Sequence, residues 1–269
     1  MRLAVVGHVE YVEFLRVPHV PTAGEIVHTT ENWAEPAGGG SVAAVQLAKL
    51  GGGADFFTAL GDDEIGHRAF EELGRLGPRL HVAWRAEPQR RAVTFVDDAG
   101  ERTITVIGDR LVPRGDDDLP WDELAGMDAV YFTGGDVDAL RAARAARVLT
   151  ATPRTFATLR EAHVELDALI GSGRDPGEVY DPAELDPPPR LRVTTLGRGG
   201  GVVEPGGPFA AAPLPGPAVD TYGAGDSFAA GLTYGLAAGM DVPDAVALAA
   251  RCGAAAITGR GAFEGQLRL

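Results

Sequence analysis

Short apolar runs alternate with helix-like segments along most of the chain, and this alternation restricts the fold more than any other feature. Leu3 to Gly7 is an apolar run that ends in glycine, as the buried strands of parallel sheets often do. Ser41 to Gly51 then has a helical pattern with a glycine stop, and residues 54–61 form the next apolar run. Repeated strand–helix units predict an α/β fold, with a doubly wound, mostly parallel sheet and helices on both faces.

Two segments depart from this pattern. Residues 91–108 alternate between apolar and polar side chains on both sides of Asp98-Ala99-Gly100, which is typical of a β-hairpin. Together with residues 10–33, this hairpin is expected to form a small antiparallel β lid outside the main sheet. The 269 residues suffice for one large α/β domain. We therefore predict a single domain over residues 1–269, with lid segments at about 10–33 and 91–108.

The charge and the cysteine content exclude several classes of function. A formal net charge of −14 repels nucleic acid and anionic lipid, so neither is an expected partner. Cys252 is the only cysteine, so no intramolecular disulfide is possible, and a cytoplasmic location is expected. No apolar run reaches the length of a membrane span.

The stretch VDTYGAGDSFAAGL, residues 219–232, carries the clearest chemical signal. It places Asp226 behind Gly223, Ala224 and Gly225, at the start of a helix of small and apolar residues. Amides at a helix N-terminus have no intrahelical partners, and small side chains let a phosphate approach them closely. A carboxylate in that first turn is expected to be ionised and able to take a proton from a hydroxyl that attacks phosphorus. Considered alone, an aspartate after Gly-x-Gly is better explained as a residue that merely stabilises the first turn.

The string from Asp220 to Asp226 resembles the C-terminal signature of the ribokinase-like (PfkB) family of sugar and nucleoside kinases. Other segments resemble the motifs of that family in the expected order, from Gly7 to Ala262. They are the glycine motif and helix PAGGGSVAAVQLAKLG, the turn LGDDEIG, the lid turn DDAGERT, the nucleotide loop VTTLGRGG and the C-terminal segment AAAITGRGA.

This resemblance implies a reaction and a set of roles. The protein would be an ATP-dependent small-molecule kinase that phosphorylates a hydroxyl of an unphosphorylated sugar or related small alcohol, with Mg²⁺. Asp226 would be the base, and the amides of Gly223, Ala224 and Gly225 would form the anion hole.

The resemblance also implies binding sites and an assembly. Thr195, Gly197 and Gly200 would lie along the nucleotide, although this segment alone could be a plain strand end and turn. Asp220 corresponds to a position that helps to hold a monovalent cation, K⁺, in some members. Lids of this family often pair between two chains, so we expect a homodimer.

The sequence departs from the family at the magnesium motif, usually Asn-x-x-Glu. The aligned residues run from Ser172 to Asp175, and only Asp175 retains a carboxylate. Asp175 is therefore the candidate residue for Mg²⁺.

The acceptor side departs as well. Glu10, Val12 and Val42 stand where the family usually has polar residues that contact a sugar. We predict that Glu10 contacts an unphosphorylated acceptor and repels one that already carries phosphate. This acceptor would be held against Gly38, Gly39 and Gly40. In the alternative interpretation, Glu10 points outward on the lid.

Other functions remain as alternatives at this stage. A nucleoside kinase or a phosphosugar kinase of the same family is one, and the latter would need a basic pocket from Arg90, Arg91 or Arg102. A kinase-fold protein that binds a ligand with poor turnover is another, motivated by the altered motifs. An NAD-dependent oxidoreductase would need a Gly-x-Gly-x-x-Gly fingerprint, which does not follow the first strand.

Overall fold

Strands and helices alternate along residues 1–98 and 100–269, the part of the chain described by the computed structural model. The thirteen strands of this part are β1 (Leu3–Val6), β2 (Glu10–Arg16), β3 (Glu31–Ala37), β4 (Ala54–Gly61), β5 (Pro78–Arg85), β6 (Arg91–Val96), β7 (Arg102–Ile107), β8 (Ala129–Phe132), β9 (Val148–Ala151), β10 (Ala168–Ser172), β11 (Arg192–Thr195), β12 (Gly201–Glu204) and β13 (Gly207–Phe209). Its six α-helices are α1 (Gly39–Gly51), α2 (Glu64–Arg75), α3 (Val137–Ala143), α4 (Phe156–Ala162), α5 (Ala224–Ala237) and α6 (Val242–Ala256). Over these same residues, no helix is both long and apolar enough to cross a membrane.

The main sheet has nine strands in the order β13-β12-β11-β10-β9-β8-β1-β4-β5. The pairings from β11 to β5 are all parallel, and β12 and β13 add an antiparallel edge. The chain thus starts at β1, near the middle of the sheet, and winds outward in both directions. The predicted doubly wound α/β fold is confirmed.

Side chains of the central strands alternate between two apolar cores, one on each face of the sheet. In β1, Leu3 and Val5 belong to the core that also contains residues of α1, α2, α5 and α6. Ala4 and Val6 belong to the opposite core, which contains residues of α3 and α4. Because both faces of β1 are covered, its sequence is apolar throughout rather than alternating.

A second sheet of four strands, in the order β3-β2-β6-β7, forms the predicted lid. The β2–β3 and β6–β7 pairs are antiparallel, whereas β2 and β6 run parallel. The hairpin expected around Asp98-Ala99-Gly100 is present, although Ala99 itself lies outside the described residues. Phe14 of the lid stacks on Trp33 at 4.9 Å and meets the edge of Tyr222 at 5.0 Å between ring centroids. The lid is thereby attached to the segment that carries the signature motif.

The structure differs from the sequence expectation after α3. The alanine-rich sequence of residues 137–149 is typical of one continuous helix, but the helix ends at Ala143 and Val148–Ala151 forms β9. Leu149 is fully buried, and β9 pairs with β8 and β10. Pairing and burial within the sheet override the helical propensity of the alanines there.

Candidate active site

The N-termini of α1 and α5 meet at the carboxyl edge of the main sheet, where open α/β sheets bind ligands. A Cβ atom added at Gly39 would lie 2.8 Å from Asp226 Oδ1 and 3.1 Å from Thr133 Oγ1. Gly39 starts α1, Asp226 lies in the first turn of α5 and Thr133 follows β8. The predicted base and the predicted glycine motif therefore form one site.

Gly223 sets the direction of the chain into α5. It has a left-handed backbone with φ 72° and precedes the helix without a side-chain cap. A Cβ atom there would lie 2.9 Å from Val42 Cγ1, so both conformation and space favour glycine. At Gly225, by contrast, a Cβ atom would have no described residue within 4 Å apart from its chain neighbours and the backbone of its own helix. The first turn of α5 thus has open space at Gly225, next to Asp226, and close approach of an anion to a helix N-terminus requires such space.

The Asp226 carboxyl group is partly buried. Burial raises its pKa to about 6, and the negative charge of Glu178 acts in the same direction, whereas Arg102 and Arg154 lower it. The sequence favoured a low pKa because of the helix dipole, but loss of water contact outweighs that effect here. A pKa near 6 leaves the carboxylate mostly ionised at neutral pH and closer to the range suited to a general base.

Glu178 is a residue of the site that the sequence analysis missed. It lies in a short 3-10 turn, Pro176–Glu178, after β10. Its carboxylate accepts hydrogen bonds from Ser172 N at 2.6 Å and from Arg154 Nε at 3.0 Å. Burial raises the pKa of Glu178. The sequence feature that could have revealed Glu178 is the second carboxylate of Asp-Pro-Gly-Glu, three positions beyond Asp175.

Asp175 lies in the same turn but has different partners. Its Oδ1 accepts a hydrogen bond from Gly177 N at 2.9 Å, and its Oδ2 pairs with Arg154. The carboxylate that acts most strongly on Asp226 is Glu178 rather than Asp175. Both carboxylates are oxygen donors of the kind that Mg²⁺ prefers, with Arg154 between them as a counter-charge.

The nucleotide-loop candidates follow β11, at the same edge of the sheet. Thr195 ends this strand and donates its hydroxyl to Gly171 O at 3.3 Å. Gly197 and Gly200 have φ of 62° and 78°, in the left-handed region. A Cβ atom at Gly200 would also overlap Phe209 O. The local backbone alone therefore accounts for both glycines, whether or not a nucleotide lies along them.

Asp220 is almost fully buried and binds two backbone amides. Its carboxylate accepts hydrogen bonds from Tyr222 N at 2.8 Å and from Gly261 N at 3.1 Å. Burial raises its pKa. These bonds tie the signature segment to the C-terminal segment that the resemblance also identified.

Glu10 lies against the glycine motif rather than in solvent. Its side chain is 11% exposed, and its Oε1 lies 2.8 Å from Arg90 Nε and 3.9 Å from His8 Nε2. A Cβ atom at Gly38 would lie 3.3 Å from Glu10 Cγ, and one at Gly40 would overlap the backbone of His8. The structure thus rules out the outward orientation of Glu10. The ion pair with Arg90 also offsets the charge on which the expected repulsion of phosphate depended.

The three arginines suggested for a basic pocket have different positions. Arg90 is largely buried beside Glu10, whereas Arg91 is exposed. Arg102 donates to Thr221 O at 2.5 Å and lies over the Tyr222 ring at 5.6 Å. Of the three, Arg90 is the one next to the predicted acceptor site.

Comparison with known proteins agrees with this geometry. Residues 1–158 and 165–267 match the model of the pfkB family of carbohydrate kinases. The chain is 30% identical to fructoselysine 6-kinase of Escherichia coli (strain K12), over 84% of this chain and 92% of the relative. It is also 30% identical to an ATP-dependent ribose-1-phosphate kinase of Halopiger xanaduensis, over 94% of this chain and 91% of the relative.

Solved structures share the fold along the whole chain. Ribokinase from Cryptococcus neoformans var. grubii serotype A, in complex with ADP, has a TM-score of 0.77 and 25% identity, covering 100% of this chain and 97% of that one. Ribokinase from Thermotoga maritima has a TM-score of 0.78 and 21% identity, covering 99% of this chain and 96% of that one. With the family match over nearly every residue, the predicted class of ATP-dependent small-molecule kinase is confirmed, and the chain belongs to the pfkB family of carbohydrate kinases.

Proposed function

We propose that the protein transfers the γ-phosphoryl group of ATP to a hydroxyl of an unphosphorylated sugar or related small alcohol. The observation that carries this proposal is the contact between the two helix N-termini at Gly39 and Asp226. This contact places the Asp226 carboxylate, with a pKa of about 6, beside the first amides of α5, which have no intrahelical partner.

In the proposed reaction, an acceptor hydroxyl lies beside Asp226. The carboxylate takes the hydroxyl proton while the acceptor oxygen forms its bond to the γ-phosphorus. The bond from that phosphorus to the β–γ bridging oxygen breaks, and ADP leaves with the bridging electron pair. The amides of Gly223, Ala224 and Gly225 would stabilise the charge on the transferring group.

A magnesium ion fits the acidic side of the site. We propose that Glu178 would hold it, with Asp175 in the same turn as a further oxygen donor. When bound, the ion neutralises charge on the transferring phosphates. Arg154 pairs with Glu178 and Asp175, and it would keep both carboxylates oriented toward this position.

The remaining binding roles are proposals of the same kind. Thr195, Gly197 and Gly200 would line the nucleotide, since Thr195 ends β11 and the two glycines follow it, at the edge of the sheet where ligands bind. Asp220 would support a K⁺ site, because it is a buried carboxylate that holds two neighbouring segments together.

We further propose that the protein is a homodimer that pairs through its lid. Every residue of the edge strand β7 is exposed, including Ile104 at 40%, Val106 at 43% and Ile107 at 42%. Exposed apolar edge strands are aggregation-prone unless covered, and a second lid would cover this one. Sedimentation at micromolar concentration should give a dimer, and Val106→Lys should give a monomer.

The direct test of the activity is ATP consumption across a panel of sugars and polyols, with Asp226→Asn as the control. Acceptor-dependent ADP formation that disappears in the variant would support the kinase. Tight binding of a sugar without turnover would instead identify a kinase-fold binding protein.

A further inference from the structure

Arg110 lies on the acceptor side of the site, in the segment that leads from the lid back to the main sheet. A Cβ atom at Gly108 would lie 4.0 Å from Arg90 Cα, so this segment begins beside Arg90. A Cβ atom at Gly134 would lie 3.3 Å from Val112 Cγ1 and 3.5 Å from His8 Nδ1. The segment from 108 to 112 therefore runs from Arg90 to His8, and Arg110 is its middle residue.

In the part of the chain that the structure describes, no carboxylate forms an ion pair with Arg110, although the charge of Glu10 acts on it from a greater distance. Within residues 1–98 and 100–269, Arg110 has no ion pair within 4.0 Å and no hydrogen bond to its side chain. Burial and the neighbouring charge of Arg90 lower the pKa of Arg110, which still leaves a guanidinium charged at neutral pH. Burial and the charge of Arg110 also hold the pKa of His8 well below its usual value, so this imidazole is neutral.

The surrounding charges do not cancel. Arg90 is offset by Glu10 at 2.8 Å, and Arg154 is engaged by Glu178 and Asp175. Glu10, Arg90, Arg110 and the neutral His8 together carry one net positive charge, in a protein whose net charge is −14. In addition, Arg90 Nε is buried and has no well-aligned hydrogen-bond partner among the residues that the structure describes. A partly buried guanidinium with no counter-ion is unfavourable, and carboxylates and phosphates are its strongest partners.

We infer that the acceptor carries an anionic group, which pairs with Arg110 beside Arg90, while its reacting hydroxyl faces Asp226. This inference rests on the proposed phosphoryl transfer and narrows its substrate class to acidic sugars. The single net positive charge matches a carboxylate better than a doubly charged phosphate, so a sugar acid is the expected form.

The test compares neutral and anionic acceptors in the wild type and in Arg110→Met, which removes the charge and keeps an unbranched side chain. The probes are ribitol and glucitol, their acids ribonate and gluconate, and the phosphates ribose 5-phosphate and glucose 6-phosphate. Binding is measured by thermal shift with a non-hydrolysable ATP analogue, and kcat/KM is measured with ATP. Arg251→Met, on the exposed surface of α6, is the matched control for net charge.

We expect at least one anionic probe to exceed its neutral counterpart tenfold or more in kcat/KM. Arg110→Met should abolish that preference, and Arg251→Met should retain it. Whichever class of anionic probe, carboxylate or phosphate, gives the larger kcat/KM identifies the charged group of the acceptor. Failure of every anionic probe to bind, or an unchanged preference in Arg110→Met, overturns the inference. So does an increase in KM confined to ATP, which would assign Arg110 to the nucleotide.

The same experiment distinguishes failure of the anionic-acceptor inference from failure of the proposed phosphoryl transfer. Phosphorylation of neutral acceptors alone would refute the anionic acceptor and leave the kinase intact. Arg110-dependent binding of an anionic probe without phosphoryl transfer would support the anion site and refute the proposed reaction.

Discussion

Gly39 contacts Asp226 so closely that a Cβ atom on the glycine would lie 2.8 Å from the carboxylate oxygen Oδ1. The two residues are far apart in the sequence: Gly39 is the first residue of α1, and Asp226 lies in the first turn of α5. The contact explains why α1 needs a glycine at its first residue when Asp226 lies in the first turn of α5. Any larger side chain at Gly39 would occupy the space of the Asp226 carboxylate, which lies where the two helix N-termini meet.

This contact predicts the effect of Gly39→Ala. The added methyl group should displace the Asp226 carboxylate by several tenths of an ångström and lower kcat by about tenfold or more. The thermal midpoint should change little, because Gly39 does not have a left-handed backbone. Gly53→Ala is the control, because the added Cβ would meet no described residue within 4 Å apart from its chain neighbours. Unchanged kcat in a folded Gly39→Ala protein would show that the position of Asp226 is not critical.

The open space at Gly225 predicts a loss of function without a loss of folding. Gly225→Val would fill the volume next to the uncapped amides, so kcat/KM for ATP should fall by at least tenfold. Helical backbone at Gly225 means that the substitution adds little strain, in contrast to Gly223→Val. A folded Gly225→Val enzyme with full activity would exclude these amides as a phosphate site.

Part of this site was predictable from the sequence, and part was not. The apolar runs were sufficient to predict the parallel sheet, and the signature string was sufficient to predict Asp226 as a site residue. Both features depend on local sequence patterns. Glu178 was missed because the aligned motif pointed to Asp175, and only the turn at Pro176–Glu178 brings the later carboxylate inward. The pairing of Glu10 with Arg90 depends on the packing of the lid over the sheet, which no local pattern encodes.

The raised pKa of Asp226 predicts the acid side of the pH–rate profile. The carboxyl must be ionised to act as a base, so kcat/KM should fall tenfold per pH unit below an apparent pKa of about 6. Because Glu178 raises this pKa, Glu178→Gln should move the acid limb to lower pH, even if the maximal rate falls. Glu161→Gln, an exposed change on α4, should leave the limb in place. An acid limb that stays fixed in Glu178→Gln would contradict the assignment of this pKa to Asp226.

Glu10 should act on acceptor binding and not on the nucleotide. Glu10→Gln removes a charged acceptor of hydrogen bonds, worth roughly 1.5–3 kcal/mol, and also releases the anchor of Arg90. KM for a neutral sugar acceptor should therefore rise at least several-fold, with KM for ATP nearly unchanged. Steady-state kinetics with each substrate varied in turn separate the two effects. Equal values of acceptor KM in Glu10→Gln and the wild type would remove Glu10 from the acceptor site.

The stability of Asp226→Asn shows whether a loss of activity in this variant could come from unfolding. Folding raises the pKa of Asp226 above its ordinary value of 3.8, so burial of the ionised form opposes folding above pH 6. The stabilisation from the protonated form is complete below pH 3.8 and is lost as the pH rises through 6. Asp226→Asn should therefore be more stable than the wild type at pH 8, by on the order of 3 kcal/mol, with the difference vanishing at low pH. Any loss of activity in this variant then cannot be attributed to unfolding.

The kcat of Asp226→Asn, measured at pH 8 together with the affinity for ATP, is the most direct test of the proposed mechanism. Asparagine keeps the size and hydrogen bonding of the side chain but cannot accept the hydroxyl proton. We predict that kcat falls by about 10² to 10⁴, while the Kd for ATP changes less than threefold. Retention of more than half of the wild-type kcat would show that Asp226 is not the base.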